Sequence, residues 1–397
     1  MIRLGIPMFG GRQWMGGFNY LENLLVALGT HCAGQITGVV FVGPDADPEL
    51  EARLRAIPGA EVVRESAFDP AGANARLATA LATGVDTAAA AAFQRHDIGL
   101  AFETARFFGR RLPIPVLAWM PDFQHRRLPA RFGAMAYWRR EFGFRQQAAA
   151  GRLIMLSSQD ARADCELYYR AARGHTVVVN FAPRPQPRPA AATIAEVRLR
   201  YGLPARYFFL PNQFWTHKNH EAVIRALAVC RAAGKPAVVA MTGGQDDPRD
   251  PDHAPRLLRL IAELGVRDDA RLLGLIPSAD VAALLAGCEA LINPSLFEGW
   301  STTVEEARAL GAPMILSDIP VHHEQAGPAA TYFDPASPDR LAALLTLAMC
   351  GPPTAREDST VLADRARARF AAFARDFAAA AVRAAGQPPG GRASQRP

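Results

Sequence analysis

The sequence predicts an α/β protein of two doubly wound, Rossmann-like domains, and three observations carry that prediction. Short apolar runs alternate with longer helical patterns along most of the chain, the rhythm of a parallel sheet covered by helices on both faces. The rhythm breaks at the proline- and alanine-rich stretch 180-NFAPRPQPRPAAA-192 and then restarts. At 397 residues the chain also exceeds the size at which a single core stops growing.

In the first half the strands read as 2-IRLGIPMF-9, 36-ITGVVFVG-43, 98-IGLAF-102, 115-PVLAWMP-121 and 153-LIMLSS-158, with a helix at 19-NYLENLLVALGTH-31 after a glycine-rich turn. These place an N-terminal domain at 1–182 and a linker at 183–192. A second domain at 193–360 follows, with strands at 207-YFFLP-211, 237-AVVAMTGG-244, 271-RLLGLI-276, 289-EALIN-293 and 313-PMILS-317. Its helices run from about Asn219 to Ala233, through 256-RLLRLIAEL-264, from Ser278, and along Val304, Ala307 and Leu310. The segment 361–385 sets Phe370, Phe373 and Phe377 on one helical face, which predicts packing back on the N-terminal domain. The tail 386–397 reads as disordered.

Composition narrows the function classes. Hydrophobic content of 50% with 21% charged residues describes an ordinary soluble protein. No apolar run is long enough to span a bilayer and the opening residues lack a signal-peptide pattern, so a cytoplasmic chain is expected. Five widely spaced cysteines read as reduced, mostly buried thiols rather than zinc or redox ligands. The net charge of +6 is concentrated between Arg106 and Arg145, where many arginines face only Asp122 and Glu141. That excess fits anionic lipid at the inner face of the membrane or an anionic substrate, and a solvated helix face equally well. There is no aromatic-spaced basic motif of the kind that reads nucleic acid.

Ligands of open α/β sheets sit beyond the carboxyl ends of the strands, and two such domains facing each other make a cleft, so the strand ends hold the candidate site. After the first strand, Gly10, Gly11, Gly16 and Gly17 punctuate a loop without the dinucleotide spacing; they either admit a substrate to bare backbone or serve a turn. Within 118-AWMPDFQHRRLP-129, Asp122 and His125 suit a sugar hydroxyl or proton transfer, or a cap and a surface residue. In 210-LPNQFWTHKNHEAVIRAL-227, Lys218 stands at a helix entrance in a chain whose only other lysine is Lys235, which suggests a compact charge clamping a diphosphate. In 293-NPSLFEGWSTTVEEARALGAPMILSD-318, Glu298 and Glu306 flank a turn of Gly299, Trp300, Ser301, Thr302 and Thr303. Free amides of Ser301 to Thr303 at a helix N-terminus make a phosphate seat, and carboxylates beside it accept from neutral hydroxyls, a pairing that points to a nucleotide sugar. The competing reading is a capping box of Thr303 with Glu306 or Thr302 with Glu305.

The stretch 297-FEGWSTTVEEARALGAPMILSDIPVHHEQ-325 resembles the donor-site signature of the retaining glycosyltransferase family 4, of GT-B fold, and 210-LPNQFWTHKNH-220 resembles its phosphate-binding loop. The glycine loop, 120-MPDFQH-125, 155-MLSSQDARAD-164 and 178-VVNFAP-183 fit the same family more weakly. The resemblance implies that Glu306 binds ribose hydroxyls, that Glu298 holds the transferred sugar, and that Lys218 with the amides of Ser301 to Thr303 holds the diphosphate. It implies that Gly16 and Gly17 approach the donor phosphate and that His125 lies near the reacting sugar. The implied activity is transfer of a hexose from a GDP- or UDP-sugar to a glycan or lipid-linked glycan acceptor in bacterial surface polysaccharide synthesis, with retention and without metal. Two departures stand out: the position that commonly carries an arginine is Asn212, and the usual Gly-Phe-Gly-Leu-Pro is Gly-Trp-Ser-Thr-Thr. A nucleotide-sugar epimerase and a catalytically silent sugar-nucleotide-binding subunit are the alternative readings.

Overall fold

A computed structural model describes the chain except residues 10, 12–14, 105, 248, 355 and 388–397; Gly10 of the glycine loop and most of the expected tail therefore lie outside the described residues. The chain divides into two compact units. The first comprises Met1–His125, Ala134–Arg184 and the residues from Ala368 onward; the second comprises Arg126–Gly133 and Pro185–Arg367.

The first unit holds a seven-stranded sheet of β1 (Ile2–Pro7), β2 (Ile36–Val42), β3 (Ala60–Arg64), β4 (Leu100–Glu103), β5 (Val116–Met120), β6 (Leu153–Leu156) and β7 (Thr176–Val178) in the order β3-β2-β1-β4-β5-β6-β7. The second holds a six-stranded sheet of β8 (Phe208–Leu210), β9 (Val239–Thr242), β10 (Ala270–Gly274), β11 (Leu291–Asn293), β12 (Met314–Ser317) and β13 (Ala330–Phe333) in the order β10-β9-β8-β11-β12-β13. Every pairing in both is parallel. Strands buried on both faces need near-continuous apolar runs, which is why the central strands were the readable ones.

All the strands read from the sequence are present, and three more join them: β3, β7 and β13. These sit toward or at the sheet edges. Half-exposed Ala60–Arg64 carries two charges, and Ala330–Phe333 shows Thr331 to water, so neither makes the continuous apolar run of a central strand.

In each sheet the strand order reverses at one place, between β1 and β4 and between β8 and β11, and loops at such a switch point diverge to leave room for a ligand. The core of the second unit lies on the two sheet faces, one cluster around Phe208, Val223 and Leu227 and the other around Phe209, Leu284 and Val304. From Ala368 onward the C-terminal helix Ser359–Ala385 belongs to the first unit and buries Phe370, Phe373 and Phe377 there; Phe373 lies edge-on to Tyr20 at 5.7 Å and Phe377 to Phe102 at 5.4 Å. The five cysteines are free thiols, four of them buried. Among the described residues no helix is long and apolar enough to cross a membrane.

Candidate functional site

The second unit's switch point is built by the loops following β8 and β11. The first loop ends in a tight turn, Thr216–Lys218, and Asn219 then takes a left-handed conformation (φ 55°) to start the helix His220–Ala232. Asparagine tolerates that conformation better than most side chains, and here its amide donates to the carbonyls of Pro294 (3.1 Å) and Pro335 (3.0 Å). The Leu296 amide donates to the His217 carbonyl at 2.8 Å. Two loops distant in sequence are thus stitched along their backbones, and the stitching holds the Lys218 ammonium 2.6 Å from Glu298 Oε1.

Beneath this ion pair lies a connected set of buried polar side chains. Ser295 Oγ lies 2.6 Å from Glu298 Oε1 and 2.7 Å from Asn293 Oδ1, with one proton to give. The Asn293 amide donates to Ser301 Oγ at 2.9 Å, and Asn212 donates to Asn293 Oδ1 at 3.2 Å while accepting from Thr303 Oγ1 at 3.4 Å. Asn212 is therefore an interior brace, and Gly243 lets the end of β9 approach it: a Cβ there would collide with the Asn212 carbonyl. Burial on its own would raise the Glu298 carboxyl, but Lys218, His322 and Ser295 outweigh it and hold the group below its ordinary range. Glu298 is an anion at neutral pH.

The helix Thr302–Leu310 begins at Ser301, whose side chain accepts from the Val304 amide. Neither sequence version of the capping box forms, because the cap lies one or two residues earlier and its third following position is valine. The Ser301 amide is satisfied by Gln325 Oε1 at 3.0 Å, and Gln325 in turn donates to the Ser301 carbonyl and to Glu305. Of the expected phosphate seat, the first-turn amides of Thr302 and Thr303 remain without an intrahelical acceptor. Buried Glu305 is engaged by Arg308 at 2.7 Å. Half-buried Glu306 has a different environment: burial pushes its carboxyl up to about 7, so it titrates near neutrality. Gly299 and Trp300 form the half-buried rim of the same turn.

The sequence did not single out Asn293, Ser295, Ser317, Gln325 or His322. Asn293-Pro294-Ser295 follows directly on a strand, a local signal that was available. Gln325 and His322 lie far along the chain and meet the site only through the fold. His322 is fully buried, its Nδ1–H donating to the Ser317 carbonyl at 2.9 Å. A cavity of about 310 Å³ adjoins the Lys218 turn, lined by Arg131, Phe132, Thr216, His217, Asp247 and Arg249; the Arg249 guanidinium stands over Trp215 at 5.4 Å.

In the first unit, Gly16 and Gly17 occupy the first turn of the helix Met15–His31 rather than a loop, so two positions of that turn carry no side chain. Asp122 accepts from the Gln124 amide at 2.9 Å and pairs with Arg140 at 2.7 Å. His125 has no exposed surface: its Nε2 lies 3.3 Å from Glu141 Oε2 and 3.4 Å from the Tyr169 hydroxyl. Burial, aided by Arg140, lowers the imidazole to about 4, so it is neutral and steadies a buried carboxylate. The ring is enclosed, so the surface-residue reading does not describe it.

Residues 202–369 match the family model described as glycosyl transferases group 1. The chain is 30% identical over 129 residues to the O-antigen chain mannosyltransferase RfbU of Salmonella typhimurium, covering 32% of this chain and 34% of that one. It is 25% identical over 186 residues to the alpha-D-kanosaminyltransferase of Streptomyces kanamyceticus, covering 47% and 46%. The chain thus spans less than half the length of these curated relatives. Solved structures agree over nearly the whole fold. Anabaena HepE in complex with UDP and glucose superposes with a TM-score of 0.64 at 18% identity, covering 96% of this chain and 95% of that one. Sucrose-phosphate synthase of Thermosynechococcus elongatus superposes at 0.66 and 17%, covering 96% and 97%. The fold is GT-B, and the match to the glycosyl transferases group 1 spans residues 202–369.

Proposed function

We propose that the protein is a retaining glycosyltransferase that moves a hexose from a nucleoside diphosphate sugar to a glycan or lipid-linked glycan acceptor. The observation that carries this reading is the Lys218–Glu298 pair beside the open first turn of the helix Thr302–Leu310. An arriving diphosphate competes with Glu298 for Lys218 and takes the Thr302 and Thr303 amides, a set of donors fixed before the reaction and aimed at the leaving charge. Glu298, released from its lysine, then accepts from hydroxyls of the transferred sugar, and Glu306 accepts from the ribose.

Asn212 brings no charge, so Arg249 and Arg131 beside the Lys218 turn are the proposed source of a second cation. His125 acts at one remove, by holding Glu141 and the elements around it. Departure of the diphosphate on the face that the acceptor hydroxyl attacks keeps the anomeric configuration, and the leaving oxygen takes the acceptor proton. No metal is needed in this scheme. Mannose is the first sugar to test, because the O-antigen relatives and the MMP alpha-(1->4)-mannosyltransferase are named for it. The reading places the chain at the cytoplasmic face of a membrane, in surface polysaccharide synthesis.

The test is to incubate the protein with GDP- and UDP-hexoses and a lipid-linked acceptor, then read the product's anomeric coupling by NMR. A glycosylated acceptor with the donor's configuration supports the proposal. An inverted product removes the retaining scheme, an epimerised donor without acceptor favours the epimerase, and donor binding without any turnover favours the silent subunit.

A further inference from the structure

Glu298 receives two donors in the resting site, and both reach the same oxygen. The Lys218 ammonium and the Ser295 hydroxyl each lie 2.6 Å from Oε1. Among the described residues Oε2 takes no hydrogen bond. The two donors differ in how easily they leave. Lys218 ends a flexible stem and keeps 13% of its side chain exposed, whereas Ser295 is fully buried. Ser295 is also fixed along its backbone. The Asn219 amide holds the Pro294 carbonyl at 3.1 Å, the Ser295 amide donates to Asn293 Oδ1 at 3.3 Å, and the Ser295 carbonyl accepts from Ser317 Oγ at 2.6 Å. Only the hydroxyl proton is left to turn. Its second acceptor, Asn293 Oδ1, keeps the Asn212 side-chain amide and the Ser295 backbone amide when that proton goes to Glu298, so no buried acceptor is stranded.

We propose that Ser295 is a positioning residue of the donor site: its hydroxyl keeps hold of Glu298 Oε1 when an arriving diphosphate takes Lys218, and leaves Oε2 to accept from the transferred sugar. This role rests on the reading of Lys218 as the diphosphate clamp, since an ion pair that never opened would need no second donor. Loss of the lysine leaves a buried anion, and burial drives such a carboxyl to take up a proton. A protonated Glu298 would donate where the sugar needs an acceptor. His322, on the helix Pro320–Ala326, is the remaining titratable neighbour that bears on Glu298; burial holds its imidazole below the ordinary value of 6.5, so it is neutral at about pH 7 in the resting site. Ser295 is the donor that stays, and its 2.6 Å separation is that of a charge-assisted bond from a hydroxyl to a carboxylate.

The first arm of the test needs no ligand. Lys218→Ala imitates the departed lysine, and the Glu298 carboxyl carbon is followed by NMR from about pH 3 to 9 in the wild type, Lys218→Ala, Ser295→Ala and the double variant, with melting temperatures as the check on folding. Each single variant retains one donor and is expected to titrate within about one unit of wild type, the double variant roughly two units or more above it. A double variant no higher than Lys218→Ala overturns the proposal. The second arm is turnover of GDP- and UDP-hexoses across pH, where kcat reports the complex, with the lysine displaced, and kcat/KM reports the free enzyme, with it in place. Ser295→Ala is expected to move the acidic limb of kcat up by about one unit and to leave that of kcat/KM where it is. Movement of both limbs together, or of neither, overturns the proposal, because lost packing would not move one limb alone. Failure of every nucleotide to bind, with the NMR coupling between Lys218 and Ser295 intact, would count against the diphosphate reading alone.

Discussion

Glu298 in the second unit and Glu141 in the first are both withdrawn from water and both paired, yet their surroundings fit them for different roles. Glu141 is held by His125 and Tyr169, both buried on packed elements, and these two partners cannot be exchanged without opening the region; Arg145, largely exposed, adds a third contact. Glu298 sits on a loop at a strand end, and its partner is a flexible lysine that retains some exposure. A ligand can take that lysine's place and the carboxylate can take another partner. Burial alone therefore does not mark a functional acid; what marks it is burial with an exchangeable partner at a switch point.

The largest expected effect is on stability in the first unit. Glu141→Ala leaves Tyr169 and a buried imidazole without their acceptor and should cost about 3–5 kcal/mol, seen as an early melting transition. Glu298→Ala should cost less, about 1–3 kcal/mol, because Lys218 retains some exposure and can turn to solvent. Equal losses would collapse the distinction. Next comes catalysis: Lys218→Ala should lower kcat by about 10²–10³ with the fold intact, whereas a rise in KM alone would mean that Lys218 binds ground and transition states equally.

A third effect separates Glu306 from both acids. Its carboxyl is raised to about 7 from about 4.5, so in that window the native state keeps a proton that the unfolded chain has lost. Stability is therefore highest below the window and falls as pH rises through it, by about 1–3 kcal/mol, and Glu306→Gln should flatten the slope. Ribose hydroxyls favour the anion, so affinity for a nucleotide sugar should rise through pH 7 in the wild type and not in Glu306→Gln. Calorimetry across about pH 4 to 8 checks both arms. The smallest effect is at the cap: Ser301→Ala should cost about 1 kcal/mol, while Glu306→Gln leaves the helix start untouched.

The central strands and the two loops of the second unit were legible because their signals are local: apolar runs, a lysine at a helix entrance, two acids about a small polar turn. The network under them was not. Gln325 satisfies the Ser301 amide from 24 positions away, and no local pattern announces such a contact. The partners of His125 were not legible for a related reason. An imidazole after a strand reads the same whether it faces a ligand or a buried glutamate, and Glu141 lies 16 positions further along the chain. Edge strands β3 and β13 escaped because half-exposed strands lose the continuous apolar signal.

The most direct measurement is a thermal-shift panel of nucleoside diphosphates and their sugars on the wild type, Lys218→Ala and Glu306→Ala. A ligand that binds only the folded state raises the melting temperature. The account predicts that one base stabilises the wild type and that both substitutions remove the shift. If no nucleotide shifts the wild type at about millimolar concentration, Lys218 and Glu298 are a structural ion pair and the donor site is not where the two loops meet.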